Sequence, residues 1–438
     1  MVIYMKKYRI GLDIGTSSVK GVLIADGDDD ITASARSSFV YDTDNTGKVE
    51  ISAYNYLSAC YEALKELYSK TPNDGKIISV CASSASGNIL FLDENFNAIS
   101  PIINWQDRRT KDEVDKVLGE SFDTEKYFQS TGWGFDKKTF PLATLCRLKV
   151  NSPDIFKKAS YLSMSTEYLY KKLTGEWGLS TSAGTPFYLI DQQSGMYRQD
   201  ILSVFSLNEN MLPSVVPVGS LIGEITEEAS KKCDIPAGTP VYAGSFDHPS
   251  AARGVGITKP GELLLSCGTS WVGFYPLESR EIGIKNHLLI DPFLSEKGGC
   301  WAGMVSLASV ASRIEEYIRK YVSNDGDIYS DFEKYARQSE SGANGLKITF
   351  DEKDKDDYIL SFEKKHIARA IMEGVIRMLK SDFERLESGG IKAERAIMVG
   401  GPTGCPFWTE VIEEMTGIKT EIRHGAFAGA IGAARLVR

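Results

Sequence analysis

The sequence predicts an α/β protein of two or three domains. Its 438 residues, at roughly 150 to a domain, leave room for more than one core. The opening stretch reads strand, strand, strand, helix, strand, a mixed pattern that begins with a meander rather than a βαβ unit. A second hydroxyl-rich glycine turn, flanked by strands, recurs in the second half and suggests two related domains.

The elements follow in order. Arg9-Ile-Gly-Leu-Asp-Ile14 and Val19-Lys-Gly-Val-Leu-Ile24 are β-rich runs around the small polar turn Gly15-Thr-Ser-Ser18, which predicts a hairpin. Asp26-Gly-Asp-Asp-Asp30 reads as a solvated turn into a third strand, Ile31 to Val40, because clustered carboxylates without partners belong in water. Leu57, Cys60, Tyr61, Leu64, Leu67 and Tyr68 recur at helical spacing after Ser52, a candidate N-cap, and a strand follows from Lys76 to Ala82. The punctuation Pro236-Ala-Gly-Thr-Pro240 before the strand-like Val241-Tyr-Ala243 sets the expected boundary, giving domains 1–243 and 244–438. Beyond it, Glu262 to Ser266 and Val272 to Tyr275 read as strands around Cys267-Gly-Thr-Ser270. Ile367, Ile371, Val375, Met378, Leu379, Phe383 and Leu386 trace the buried stripe of a long helix that stops at Gly389-Gly390. Ala396 to Val399 is then a short buried strand, broken by Gly400-Gly401 and followed by a helix through Phe407, Val411, Ile412 and Met415. The segment Asp351 to Asp357 has the composition of an exposed loop.

Composition narrows the function. Apolar residues at 42% and charged residues at 25% are those of a folded globular chain. Fifty Lys and Arg against 59 Asp and Glu leave a net charge of −9, which repels phosphate backbones and anionic lipid, so neither nucleic acid nor membrane is an expected partner. The seven cysteines are scattered singly without a Cys-x-x-Cys pair, as reduced cytosolic thiols are, and no apolar run reaches the roughly 20 residues of a membrane span. No signal peptide is read at the start, Met5 is a candidate initiator, and the expected location is cytoplasmic. The chain lacks Gly-x-Gly-x-x-Gly, Walker A, His-x-x-x-His and Gly-x-Ser-x-Gly motifs, which argues against a dinucleotide fold, a P-loop, a zincin helix and a serine hydrolase.

Three constellations carry chemistry. Asp13-Ile-Gly-Thr-Ser-Ser18 puts a carboxylate at a strand end before a turn whose amides can line an anion site, with Asp13 suited to a largely hydrated magnesium ion; a plain hairpin is the other reading. Asp247 precedes a helix with Pro249 in its first turn, and serves equally as an N-cap and as a general base helped by the helix's positive end. Trp105-Gln-Asp-Arg-Arg-Thr110 combines an aromatic face, a carboxylate and guanidiniums suited to a polyol, or else forms an exposed ion-pair cluster.

With these residues in view the sequence resembles the FGGY family of carbohydrate kinases, in order over nearly the whole chain. Gly11 to Lys20 is similar to the family's first phosphate motif, and Gly47-Lys-Val-Glu50 to its continuation. Trp105 to Thr110 resembles the sugar-side segment, Ala243 to His248 the segment with the catalytic aspartate, Ser266 to Ser270 the second phosphate motif, and Val399 to Trp408 the adenosine motif. The resemblance implies two ribonuclease H-like domains of the actin and hexokinase superfamily with an interdomain cleft, and ATP-dependent phosphorylation of a ketose or polyol. By the same analogy Asp247 is the base, Asp13 organises Mg2+, and Trp105, Asp107, Arg109 and Asp247 face the sugar. Gly15, Thr16, Ser17, Ser18, Lys20, Gly268, Thr269, Ser270, Gly400 and Gly401 attend the nucleotide. A small-molecule sugar is the implied partner, and a homodimer is compatible with the sequence. Pro402 departs from the small residue usual in the adenosine motif, and Ser86-Gly87 stands where named sugar specificities carry larger pairs. A non-catalytic or actin-like nucleotide-binding protein of the same superfamily is the alternative, and retention of both Asp13 and Asp247 argues against it.

Overall fold

The computed structural model describes residues 5–437 except 29, 86, 188, 269, 308, 309, 352 and 353. Thr269 and Ser86, both singled out in the sequence, therefore lie outside the described residues. The chain forms two compact units. One is built from Met1–Gly254, Leu289–Gly299 and Gly429–Arg438, the other from Val255–Leu288 and Cys300–Ala428. The division read from the sequence, 1–243 and 244–438, is contiguous, whereas these units are assembled from separated stretches of chain.

In the first unit the antiparallel hairpin Lys6–Ile14 and Ser18–Ala25 forms as its pattern predicts, and Ile31–Ser38 extends it. Gly75–Ser84 then pairs parallel to the first strand, and Pro240–Phe246 pairs parallel to Gly75–Ser84. With Leu221–Glu224 at the edge, these strands make one six-stranded sheet. The helix Ala53–Ser69 covers it, capped by Ser52, whose hydroxyl accepts the Asn55 N–H at 3.1 Å. Its apolar stripe, Tyr56, Cys60, Leu64 and Leu67, packs with Ile10, Leu12, Val19, Leu23 and Val80 in the core. A smaller sheet carries Val49–Ile51, Ile102–Ile103, Ile89–Leu92 and Tyr161–Met164 side by side. It anchors the segment that holds Trp105 to Thr110.

Strands of the second unit run in the order Trp301–Leu307, Trp271–Leu277, Glu262–Cys267, Arg395–Gly400, Lys419–Ile422. This is the order of the first unit's main sheet, third-second-first and then two parallel neighbours, so the repeated turn in the sequence marks a repeated fold. The long helix Lys364–Ser388 buries Ile367, Ile371, Val375 and Leu379, and Gly390, at φ +89°, takes the left-handed conformation that ends it. The acidic segment after Phe350 is less detached than its composition suggests: Asp354 accepts the Phe350 N–H at 2.7 Å and the Tyr317 hydroxyl at 2.9 Å. Six of the seven cysteines are buried, and Cys300 is part-exposed. Among the described residues no helix is long and apolar enough to cross a membrane.

Candidate active site

Parallel pairing builds the first unit's site. Asp13 stands opposite Ser83 in one pair, and Ser84 stands opposite Phe246 in the next, so three parallel strands end together with Asp13, Ser83 and Asp247 at their C-terminal edge. Asp13 also faces Lys20 across the hairpin. Asp13 is part-exposed, and its carboxylate accepts a long hydrogen bond from the Ser83 hydroxyl at 3.4 Å. Dense surroundings push the Asp13 carboxyl up to about 6, against the pull of Lys20 and with a push from Asp247. The glycine-rich helix Ala428–Arg435 closes the other side. A Cβ at Gly429 would lie 2.7 Å from the Asp13 Cγ, so only glycine leaves space over that carboxylate.

Asp247 opens the helix Asp247–Val255 and keeps its side chain 28% exposed; its Oδ1 accepts the His248 N–H at 2.7 Å, with the His248 imidazole 3.8 Å away. Asp247 thus stands at the start of that helix with part of its carboxylate open. In the turn before Ser18, Gly15 N–H closes on the Ser18 carbonyl at 3.0 Å, leaving Thr16 and Ser17 outward. Ser18 itself is 2% exposed and belongs to the strand, so its hydroxyl is not on the turn's open face.

The sugar-side segment shows a row of rings that sequence reading did not find. Trp105 stacks on Phe140 at 5.2 Å, Phe140 meets Trp133 at 5.9 Å, Trp133 meets Phe246 at 5.6 Å, and Phe246 meets His248 at 5.2 Å. This row joins Trp105 to the residues either side of Asp247. Trp105 and Phe140 retain exposed surface while Trp133 and Phe246 back them. The charged partners behave differently. Asp107 is 1% exposed and accepts the Val49 N–H at 3.0 Å and the Arg109 Nε at 2.9 Å. Arg109 bridges Asp107 and Glu50, and Arg147 lies 3.8 Å from Asp107. The ion-pair cluster considered for this segment thus exists; its Arg109 and Glu50 stay partly exposed, whereas Asp107 is buried and has no exposed carboxylate to offer a sugar.

The second unit gathers the other segments. Glu262–Cys267 runs parallel to Arg395–Gly400 with Cys267 opposite Gly400, which sets Gly268 and Ser270 beside Gly400 and Gly401. Gly400 has φ +103°, and a Cβ there would approach the Cys267 carbonyl oxygen to 2.2 Å, so the position admits only glycine. Gly268 N–H donates to the Ser270 carbonyl at 3.1 Å; Gly401 is exposed with open space around it. Pro402 fits the short 3-10 turn Gly401–Gly404, pinned by the Thr403 hydroxyl on the Gly400 carbonyl at 2.6 Å. Trp408 is core, edge-on to Trp271 at 4.9 Å.

Among the described residues no three His, Cys, Asp or Glu side chains cluster as a metal cage. A lightly hydrogen-bonded carboxylate at a strand end, with a second carboxylate nearby and a Cβ-free helix face above it, fits an ion bound through few protein ligands and several waters, as magnesium is.

Residues 8–254 match the model of the FGGY family of carbohydrate kinases, N-terminal domain. A xylulose kinase of Lactococcus lactis is 25% identical over 421 residues, covering 91% of this chain and 81% of that protein. An autoinducer-2 kinase of Salmonella choleraesuis is 24% identical over 454 residues, covering 98% and 85%. The solved xylulose kinase of Rhodospirillum rubrum shares the fold at TM-score 0.84 and 23% identity, covering 98% of this chain and 90% of that one. With more than half of its 438 residues matching the family model and relatives spanning nearly all of it, the chain belongs to the FGGY family of carbohydrate kinases of the actin and hexokinase fold.

Proposed function

We propose that this kinase transfers the γ-phosphoryl group of ATP in line to a hydroxyl of a ketose or polyol, with Asp247 as general base. The observation that carries the reading is the strand register that brings Asp13, Ser83 and Asp247 to one sheet edge, next to the row of rings that begins at Trp105. The sugar oxygen attacks phosphorus, its proton passes to Asp247, the bond from phosphorus to the bridging oxygen breaks, and ADP leaves. A carboxylate suffices as base because a loose phosphoryl-transfer transition state asks chiefly for positioning and charge neutralisation. The helix that starts at Asp247 presents its positive end to the same place.

Asp13 is the residue to hold a hydrated magnesium ion, which when bound neutralises charge on the phosphates. The amides of Thr16 and Ser17, with Lys20 beside them, suit one group of phosphate oxygens and the turn at Gly268 and Ser270 suits another, while Gly401, exposed beside Gly400, leaves room for the adenosine. Trp105 and Phe140 offer a flat apolar face to sugar C–H groups, while Asp107 holds Arg109 rather than touching the acceptor. Labour divides along the chain, residues 1–243 serving the acceptor and the first phosphate turn, 244–438 the base and the rest of the nucleotide. The relatives' names put xylulose at the head of the acceptor panel.

The test is product identification. The protein is incubated with Mg-ATP and a panel of ketoses, aldoses and polyols, and sugar phosphate is detected by 31P NMR. A new phosphomonoester from a ketose or polyol supports the reading; ATP binding with no sugar phosphate from any panel member contradicts it.

A further inference from the structure

The segment Leu289–Gly299 belongs to the first unit although the chain on both sides of it belongs to the second. Its polar side chains make contacts that the proposed chemistry does not account for. Asp291 is 1% exposed; its Oδ2 accepts the Ser182 hydroxyl at 2.6 Å and its Oδ1 accepts the Phe293 N–H at 2.7 Å. The Ser182 oxygen in turn accepts the N–H of Phe246, the residue before Asp247, at 3.2 Å. Arg253, on the helix Asp247–Val255, donates to the Ser245 hydroxyl at 3.0 Å and to the Phe293 carbonyl at 2.6 Å, with its guanidinium 4.7 Å over the Phe293 ring. A second carboxylate of the segment, Glu296, accepts the Thr181 hydroxyl at 2.7 Å and the Val218 N–H at 3.0 Å, so the turn bearing Ser182 is held twice.

We propose that Asp291 and Ser182 are positioning residues for Asp247: the chain Asp291, Ser182, Phe246 N–H fixes the backbone from which the base projects. The inference rests on Asp247 being the base. The physical reason is the requirement of in-line transfer for sub-ångström placement, where a displacement of about 1 Å costs on the order of a hundredfold in rate. Phe246 sits at a register irregularity in the pairing of Pro240–Phe246 with Gly75–Ser84, so the ladder alone does not hold its amide. A buried serine that both donates and accepts supplies the missing anchor, and a buried aspartate on a covalently distant segment orients that serine.

Asp291→Asn, Ser182→Ala, Ser182→Thr and the double variant Asp291→Asn with Ser182→Ala are compared with wild type and with Asp247→Ala, each on folded protein verified by its unfolding transition. The expected result is a kcat lowered on the order of 10- to 100-fold in Asp291→Asn and Ser182→Ala, with the KM for ATP unchanged and partial recovery in Ser182→Thr. The double variant is expected to be no slower than the slower single one, because both residues act through one chain. Wild-type kcat in both single variants, or losses that multiply, overturns the inference, as does a lower unfolding midpoint with unaltered kcat. Failure of the underlying reading looks different: Asp247→Ala would then retain turnover.

Discussion

Glu167→Gln is expected to stabilise this protein at neutral pH, by an amount that grows with pH. Glu167 lies on the helix Ser165–Thr174, is 1% exposed, and its Oε2 meets no hydrogen-bond partner among the described residues. Burial pushes its carboxyl up from 4.5 to about 8. A folded-state value above the unfolded one means that the contribution is fully present below about pH 4.5 and is lost as pH rises through about 8. At about 1.4 kcal/mol per pH unit, the loss between pH 4.5 and 7 is about 3 kcal/mol. Glutamine keeps the shape and cannot ionise, so it escapes that loss. Denaturant unfolding of both proteins from pH 4 to 8 measures the difference, read in the transition of the unit that contains Glu167, since two units need not unfold together. The expected difference is near zero at pH 4 and about 3 kcal/mol in favour of the variant at pH 7. A flat difference across pH, or a variant less stable at pH 7, refutes the reasoning and means that the ionised carboxylate has a partner.

Three further outcomes follow from particular contacts. Gly400→Ala drives a Cβ into the Cys267 carbonyl at a left-handed φ, so it is expected to lower stability by about 1–3 kcal/mol and to raise the KM for ATP while the KM for sugar holds; thermal unfolding and initial-rate kinetics check both. Trp105→Ala removes one ring of the part-exposed stacked pair with Phe140 and is expected to raise the sugar KM about tenfold with ATP affinity unaltered. Gly429→Ala places a methyl against the Asp13 carboxylate, so kcat is expected to fall at least tenfold and the magnesium concentration for half-maximal rate to rise, in a metal titration at saturating sugar.

Much of the fold was readable because its signals are local. The hairpin at Gly15, the Ser52 cap, the stripe from Ile367 to Leu386 and the glycine stop after it depend on neighbours within a few residues. Asp13 and Asp247 were each recognisable as strand-end carboxylates by the same logic. What joins them is the intervening strand Gly75–Ser84, whose parallel register with both partners has no local mark in the sequence. Burial is the other hidden quantity: Asp107 and Arg109 have the chemistry of a polyol site, but only the fold reveals that Asp107 points inward to Val49 and Arg109. Trp133 lies in irregular chain and Phe140 opens the helix Phe140–Asn151, and a single aromatic at either place carries no period. The helix Ala428–Arg435 carries no reactive side chain, and its role at Asp13 lies in the Cβ that Gly429 lacks; its run of Gly and Ala was the available clue.

The most direct test of the central assignment is turnover by Asp247→Asn beside its affinity for ATP. Rates of ADP release are measured with saturating sugar for wild type and variant, and ATP binding to each by calorimetry. The assignment predicts a kcat lowered by about 10²–10⁴-fold with an ATP dissociation constant within about twofold of wild type, because the base meets the acceptor hydroxyl and not the nucleotide. Sugar-dependent turnover near the wild-type rate, or an equal loss of ATP affinity, contradicts it.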